Sequence, residues 1–284
     1  MRRSLFLLLV LVFVTITAYS SANGEVFTES GLVDIPTGAV LEHGIFGAGT
    51  FIAFRQSEVA SGLQTTPMNL GDTVAIRLNF GLFDRIEIGL GQVWNAYGSE
   101  LSTEQAASLK VQLLKEQETG AIPSIAVGVE HLGGGILTSE SGKNGVLPSA
   151  FLAVSKTFNL PRIHQFSGHV GIGTQRFAFG ESPIGVFVGL GKEFQPAFAR
   201  GDITMSLEFD GSGANVGMRY IVSSGLQVAL GAETLNDPDA LRYLASVSWT
   251  NEHLLEQIDE TRRLIQRATQ LAVEAKRAIT EPSE

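Results

Sequence analysis

The sequence predicts an all-β fold, a closed antiparallel up-and-down transmembrane β-barrel of about twelve strands with a C-terminal α-helix. Three observations predict it. Apolar side chains fall on every other position through most of the chain, connections between the alternating runs tend to be long and short in turn, and the period changes abruptly after Trp249.

The alternation is clearest from Ile203 to Trp249. Ile203, Met205, Leu207 and Phe209 alternate with Thr204, Ser206, Glu208 and Asp210, and Leu226, Val228, Leu230 and Ala232 alternate with Gln227, Ala229, Gly231 and Glu233. Successive side chains of a strand point to opposite faces, so each run has one greasy face and one polar or very small face. The same beat places strands at 45–55, 72–80, 85–94, 108–116, 122–131, 149–158, 165–175, 184–194, 201–210, 213–221, 225–233 and 241–249. Most approach the 9–11 residues that a tilted strand needs to cross a bilayer.

The connections predicted after the first, third and fifth strands are long (56–71, 95–107 and 132–148), whereas those after the even strands are short. A meander across a bilayer has short turns on one side and longer loops on the other. The connection 211–212 breaks the trend. Aromatics gather at strand ends: Phe80, Phe158, Phe194, Tyr220 and Trp249 on one side, Phe54, Trp94 and Phe209 on the other, as two interfacial girdles would.

The quiet face carries glycine and charge. Arg77, Glu87, Lys110, Glu130, Glu193, Glu208, Arg219 and Glu233 are the predicted lumen-facing residues, with Arg77, Lys110, Arg219 and Arg242 available to pair with the carboxylates. Glycine there leaves room for long side chains, and closure removes the exposed sheet edges. Phe151 and Phe187 depart from the pattern, as lumen-filling aromatics or as errors of register.

The ends set the compartment. Arg2 and Arg3, the apolar run Leu5 to Ala18 and the small residues Ser20-Ser21-Ala22 form a secretory signal, 1–22, cleaved after Ala22. Its removal takes the net charge from −9 to −11, which argues against nucleic acid as a partner. There is no cysteine, hence no disulfide and no thiolate metal site. Residues 23–44 read as an extended segment bent at Pro36, placed in the lumen or as part of the first strand, 45–250 as the barrel and 251–284 as a helical appendage.

The start of the mature chain resembles the barrel proteins of the YjbH type, which are associated with exopolysaccharide production. The residues that carry this are Gly31-Leu32-Val33-Asp34-Ile35-Pro36-Thr37-Gly38, then Val40-Leu41 and Gly44. The hairpin from Phe80 to Gly89 is similar to those of Gram-negative-type outer-membrane barrels. The resemblance implies the cell outer membrane, contact with its lipid and a role linked to polysaccharide.

Catalytic constellations are sparse. The histidine followed two residues later by serine that outer-membrane phospholipases use is missing, since Val170 and Gly171 follow His169. His43, His131, His164 and His253 have no ligand spacing, and Gly189-Leu190-Gly191-Lys192 is a strand pattern rather than a phosphate loop. The sequence therefore predicts no enzyme, no cofactor and no metal.

After Trp249 apolar residues recur at alternating spacings of four and three: Leu254, Ile258, Thr261, Ile265, Ala268, Ala272, Ala275 and Ile279. This is a heptad seam, with Asn251 as N-cap and Pro282 as terminator. An even strand number puts the helix in the periplasm. Three readings are open: a coiled coil with itself or a periplasmic protein partner, a helix folded into the lumen or against its mouth, and a solvated amphipathic tail.

The expected function is a passive pore or an envelope scaffold associated with polysaccharide secretion. The alternatives are a non-conducting interaction protein acting through the helix and a soluble secreted β-barrel that binds a ligand.

Overall fold

The alternating runs become strands of a single closed sheet. The computed structural model describes residues 30–55, 73–97, 100–117, 121–132, 148–160, 164–178, 182–196, 201–222, 224–238 and 241–280. The signal 1–22 and the loop residues 56–71 and 133–147 lie outside the described residues. The strands are β1 (Phe46–Arg55), β2 (Thr73–Leu82), β3 (Ile86–Tyr97), β4 (Glu100–Leu114), β5 (Ser124–Leu132), β6 (Ser149–Leu160), β7 (His164–Thr174), β8 (Ile184–Phe194), β9 (Asp202–Phe209), β10 (Ala214–Ile221), β11 (Leu226–Glu233) and β12 (Arg242–Thr250). Each pairs antiparallel with its sequence neighbours, and β1 pairs with β12 from Gly47↔Thr250 to Arg55↔Arg242, which closes the barrel.

The greasy face points outward. Ile76, Leu78, Leu90, Leu113, Val186, Leu190, Leu207, Leu230 and Val247 are all exposed, while the intervening positions are buried or half-buried. An apolar belt of this extent suits lipid rather than water. Its edges carry aromatics: Phe46 meets Trp249 edge-on at 5.5 Å and Phe158 stacks on Phe166 at 5.1 Å near one rim, and Phe54 lies 5.6 Å from Tyr243 near the other.

One predicted connection is overturned. The segment 95–107 is not a long loop: β3 continues to Tyr97 and β4 begins at Glu100, paired from Tyr97↔Glu100 to Ile86↔Val111. Ser102, Thr103 and Glu104 lack the greasy alternation, yet they complete the β3 ladder. Backbone hydrogen bonding there does not depend on an apolar face.

Helix α1 (Glu252–Thr280) leaves directly from β12. No described helix is long and apolar enough to cross a membrane. The reading of α1 as a lumen filler is overturned, because the side chains from Gln257 to Glu274 are all exposed. Asn251 does occupy the N-cap position, its carbonyl accepting from Leu255 N–H at 3.1 Å. Its side chain is used elsewhere, accepting from Phe46 N–H at 2.7 Å and donating to the Gly44 carbonyl at 3.0 Å. The cap residue therefore ties the helix start to the entry of β1.

Candidate functional site

The lumen is occupied by the chain's own N-terminal segment. Residues 30–45 fold back as a loop whose Gly44 end lies beside the start of α1. Thr37 Oγ1 donates to the Ser30 carbonyl at 2.6 Å, Ser30 Oγ lies 3.1 Å from the Ala39 carbonyl, and Leu32 N–H donates to the Ile35 carbonyl at 3.0 Å. Proline fixes the bend after Ile35, and both side chains are almost wholly buried. Burying Ile35 alone contributes about 1.5–3 kcal/mol.

The barrel wall supplies the partners. Glu208 on β9 accepts from three successive backbone N–H groups, Val33 at 2.8 Å, Asp34 at 2.9 Å and Ile35 at 3.1 Å. Consecutive N–H groups converging this way form an anion nest, and the wall provides the anion. Arg219 on β10 donates to the Gly31 and Leu32 carbonyls at 3.1 and 2.9 Å. Gln112 on β4 donates to the Gly38 carbonyl at 2.8 Å. Glu87 on β3 accepts from Ser30 Oγ at 2.5 Å and Leu41 N–H at 3.2 Å, beside its ion pair with Lys110 at 3.4 Å. Lys110 also donates to Ser30 Oγ.

From the opposite end the β7–β8 connection dips inward as a 3₁₀ turn, Gln175–Phe177. Arg176 lies across the lumen. It donates to Glu130 at 2.7 Å, to the Asp34 carboxylate at 3.2 Å and to the Asp34 carbonyl at 2.7 Å. Asn215 bridges Asp34 and Asp210 at 3.4 and 2.9 Å. Burial pushes the Asp34 carboxyl well above the usual carboxylate range, with Arg176 beside it acting in the other direction. Phe151, Phe177 and Phe187 pack with Ile35 into a fully buried cluster. Phe151 and Phe187 are thus lumen-filling aromatics, and the strand register is regular through both.

The glycine face has a different use from the expected one. A Cβ on Gly189 would meet Ile35 Cδ1 at 2.5 Å, and one on Gly217 would collide with Val33 Cγ2. One on Gly128 or Gly171 would strike Phe151 or Phe187. Glycine makes room for the loop and the aromatics more than for charged side chains.

The predicted residues divide accordingly. Glu87, Lys110, Glu208 and Arg219 touch the loop directly, Glu130 reaches it through Arg176, and Glu233 pairs with Arg242 at 3.5 Å. Arg77 faces inward on β2, between buried Ala75 and Asn79. Glu193 stands exposed at the end of β8, outside the cluster. The expected pairing of wall cations with wall carboxylates is seen for Lys110–Glu87 and Arg242–Glu233. Arg219 reaches the loop carbonyls as well, and Glu130 takes Arg176.

Sequence reasoning missed Arg176, Asp34 and the Ser155–His169 pair. Ser155 Oγ accepts from Gly38 N–H at 2.8 Å and lies 2.7 Å from His169 Nδ1, whose Nε2 lies 2.9 Å from Ser167 Oγ. A search for serine after histidine misses serines before it and across the strand pair. The geometry engages the Ser155 hydroxyl with the loop. Arg176 carried one available signal, a cation beside an aromatic at a strand end.

The loop also props a strained turn. Phe83 and Asp84 both have positive φ, 55° and 53°, in the β2–β3 turn. His43 stacks on Phe83 at 5.8 Å, its N–H donates to Asp84 Oδ1 at 2.7 Å, and its Nδ1 accepts from Phe83 N–H at 3.2 Å. Left-handed backbone outside glycine persists where surroundings fix it.

A family model described as YjbH, exopolysaccharide biosynthesis protein YbjH, matches residues 24–236. The chain belongs to this family. The matched span takes in the whole lumen loop and eleven of the twelve strands. No curated protein matches. Among solved structures, the chain is similar to an outer-membrane channel of the COG4313 group from Pseudomonas putida F1, at 12% identity and TM-score 0.41, covering 77% of this chain and 100% of that one. It is also similar to a mutant of the Rh. blastica porin, at 13% identity and TM-score 0.28, covering 64% of this chain and 60% of that one. The stretch Gly31–Gly38, on which the likeness to the YjbH type rests, is the tip of the loop inside this family member's barrel.

Proposed function

We propose that this protein is an outer-membrane barrel of exopolysaccharide-producing cells that works as a closed envelope scaffold, with its N-terminal loop as a resident plug. A passive pore needs a lumen that water and solute can cross. One observation carries the reading: the loop from one end and Arg176 from the other meet at Asp34, in the middle of the barrel. The family supports the polysaccharide association, and the apolar belt supports the membrane.

Planar-bilayer conductance tests it. The purified wild-type protein is expected to stay silent, and a variant lacking residues 30–41 to conduct or leak. Steady wild-type conductance would overturn the scaffold reading in favour of the pore. Recovery of the full-length protein from the soluble periplasm, without heat-modifiable migration, would overturn both.

A further inference from the structure

Helix α1 presents an apolar stripe that none of the other described residues covers. Leu264, Ile265 and Leu271 are 58%, 60% and 65% exposed, and Leu254 and Ile258 are also exposed. With Ile258 taken as a heptad a position, Ile265, Ala272 and Ile279 are also a, and Leu254, Thr261, Ala268 and Ala275 are d. We propose that this stripe is a parallel, in-register seam for a second copy of the same chain.

The charge pattern favours a like partner. Every acidic residue of the helix, Glu252, Glu256, Asp259, Glu260 and Glu274, falls at b, c or f, away from the seam. The g positions are Gln257, Leu264, Leu271 and Ala278, all uncharged, while e carries only Arg262 and Lys276 as cations. Parallel copies face g against e, so pairing meets neither like-charge repulsion nor a buried carboxylate. A partner of different sequence selected by charge would call for a charged g row to read, and this helix has none. Isoleucine at a beside leucine at d suits two strands at the start of the seam, and the alanines beyond allow close approach.

Topology fixes the direction. This part rests on the membrane-barrel reading: two barrels inserted the same way send out their helices on the same side, both starting at residue 252. The described seam is one narrow stripe of a single helix, a modest area beside the roughly 800 Å² per partner of a standard interface. Confinement to one membrane raises the effective concentration and compensates for that modest area.

The chain contains no cysteine, so single cysteines report the contact without background. In mildly oxidised native membranes, Ala268→Cys and Ala272→Cys are each expected to give a disulfide-linked dimer. Gln270→Cys, at f, is expected to stay monomeric, and adding Ile265→Lys to Ala268→Cys should abolish the dimer band. Equal cross-linking at 268 and 270, no dimer at 268 and 272, or an adduct with a different protein instead of the dimer would overturn the proposal. Heat-modifiable migration of the same samples reports the barrel separately. Loss of that behaviour with the cross-link retained would sink the membrane reading and leave the seam standing.

Discussion

The loop at 30–45 and the helix at 252–280 are both appendages to one barrel, joined to it within a few residues of each other through Asn251. Their apolar residues meet opposite fates. Ile35, Leu41 and Ile45 are buried, whereas Leu264, Ile265 and Leu271 are more than half exposed. The difference lies in the surface offered to each. The inner wall gives the loop glycine-shaped hollows and a matched polar partner for each buried backbone group that it presents to Glu208, Arg219, Gln112 and Ser155. Among the described residues no such wall is offered to the helix from Gln257 to Glu274. Burial costs little where polar groups are met, and a stripe left bare within the chain calls for a surface outside it.

The contrast can be broken first at Arg176. Arg176→Ala removes the guanidinium that joins Glu130 to Asp34 and leaves buried carboxylates uncompensated. A loss of about 3–5 kcal/mol is expected, read as a fall in the denaturant midpoint of the refolded barrel. A neutral result would mean that the loop is not anchored across the lumen. The next two tests use neighbours on β10 that point to opposite faces. Val216→Arg puts a charge on the outward belt and should weaken assembly by about 2–4 kcal/mol near the bilayer midplane. Unchanged assembly would contradict a lipid-covered face. Gly217→Ala sets a methyl against Val33 and should cost about 1–3 kcal/mol. Combining it with Val33→Ala should restore most of the loss, because the clash is with a Val33 methyl; additive losses would show that the glycine serves something other than the loop.

Much of the barrel was legible because alternation is a local property. Eleven strands lie within a few residues of their sequence-predicted bounds. The exception, β4, begins at Glu100 rather than near 108. Its first residues carry polar side chains, and ladder hydrogen bonds leave no trace in side-chain pattern. The inner face was legible as a face but not as a site. Glu208 and Arg219 could be placed inside, yet their partners are backbone groups more than 170 residues away in sequence, so no spacing rule links them. The glycines were visible, but which object filled the space beside them depends on where a loop with no strand pattern comes to rest. Asp34 sat in an extended N-terminal segment and Arg176 in a segment read as a connection, and only the closed barrel makes them neighbours.

The smallest expected effect is the sharpest test of the helix side. Ile265→Gln replaces an exposed apolar side chain, so the stability of the isolated barrel should stay within about 0.5 kcal/mol of wild type. The same change puts a polar amide into the proposed seam and should weaken the Ala268→Cys cross-link. The two measurements together separate a stripe that waits for another copy from one that leans on its own barrel. A drop of more than about 1 kcal/mol in the monomer's denaturant midpoint would show that α1 already packs within its own chain, since surface positions without partners rarely cost that much. The helix would then share the fate of the loop, and the difference between the two appendages would be one of degree. An unchanged midpoint with a weakened cross-link would place the seam's energy between chains, as its exposed face implies.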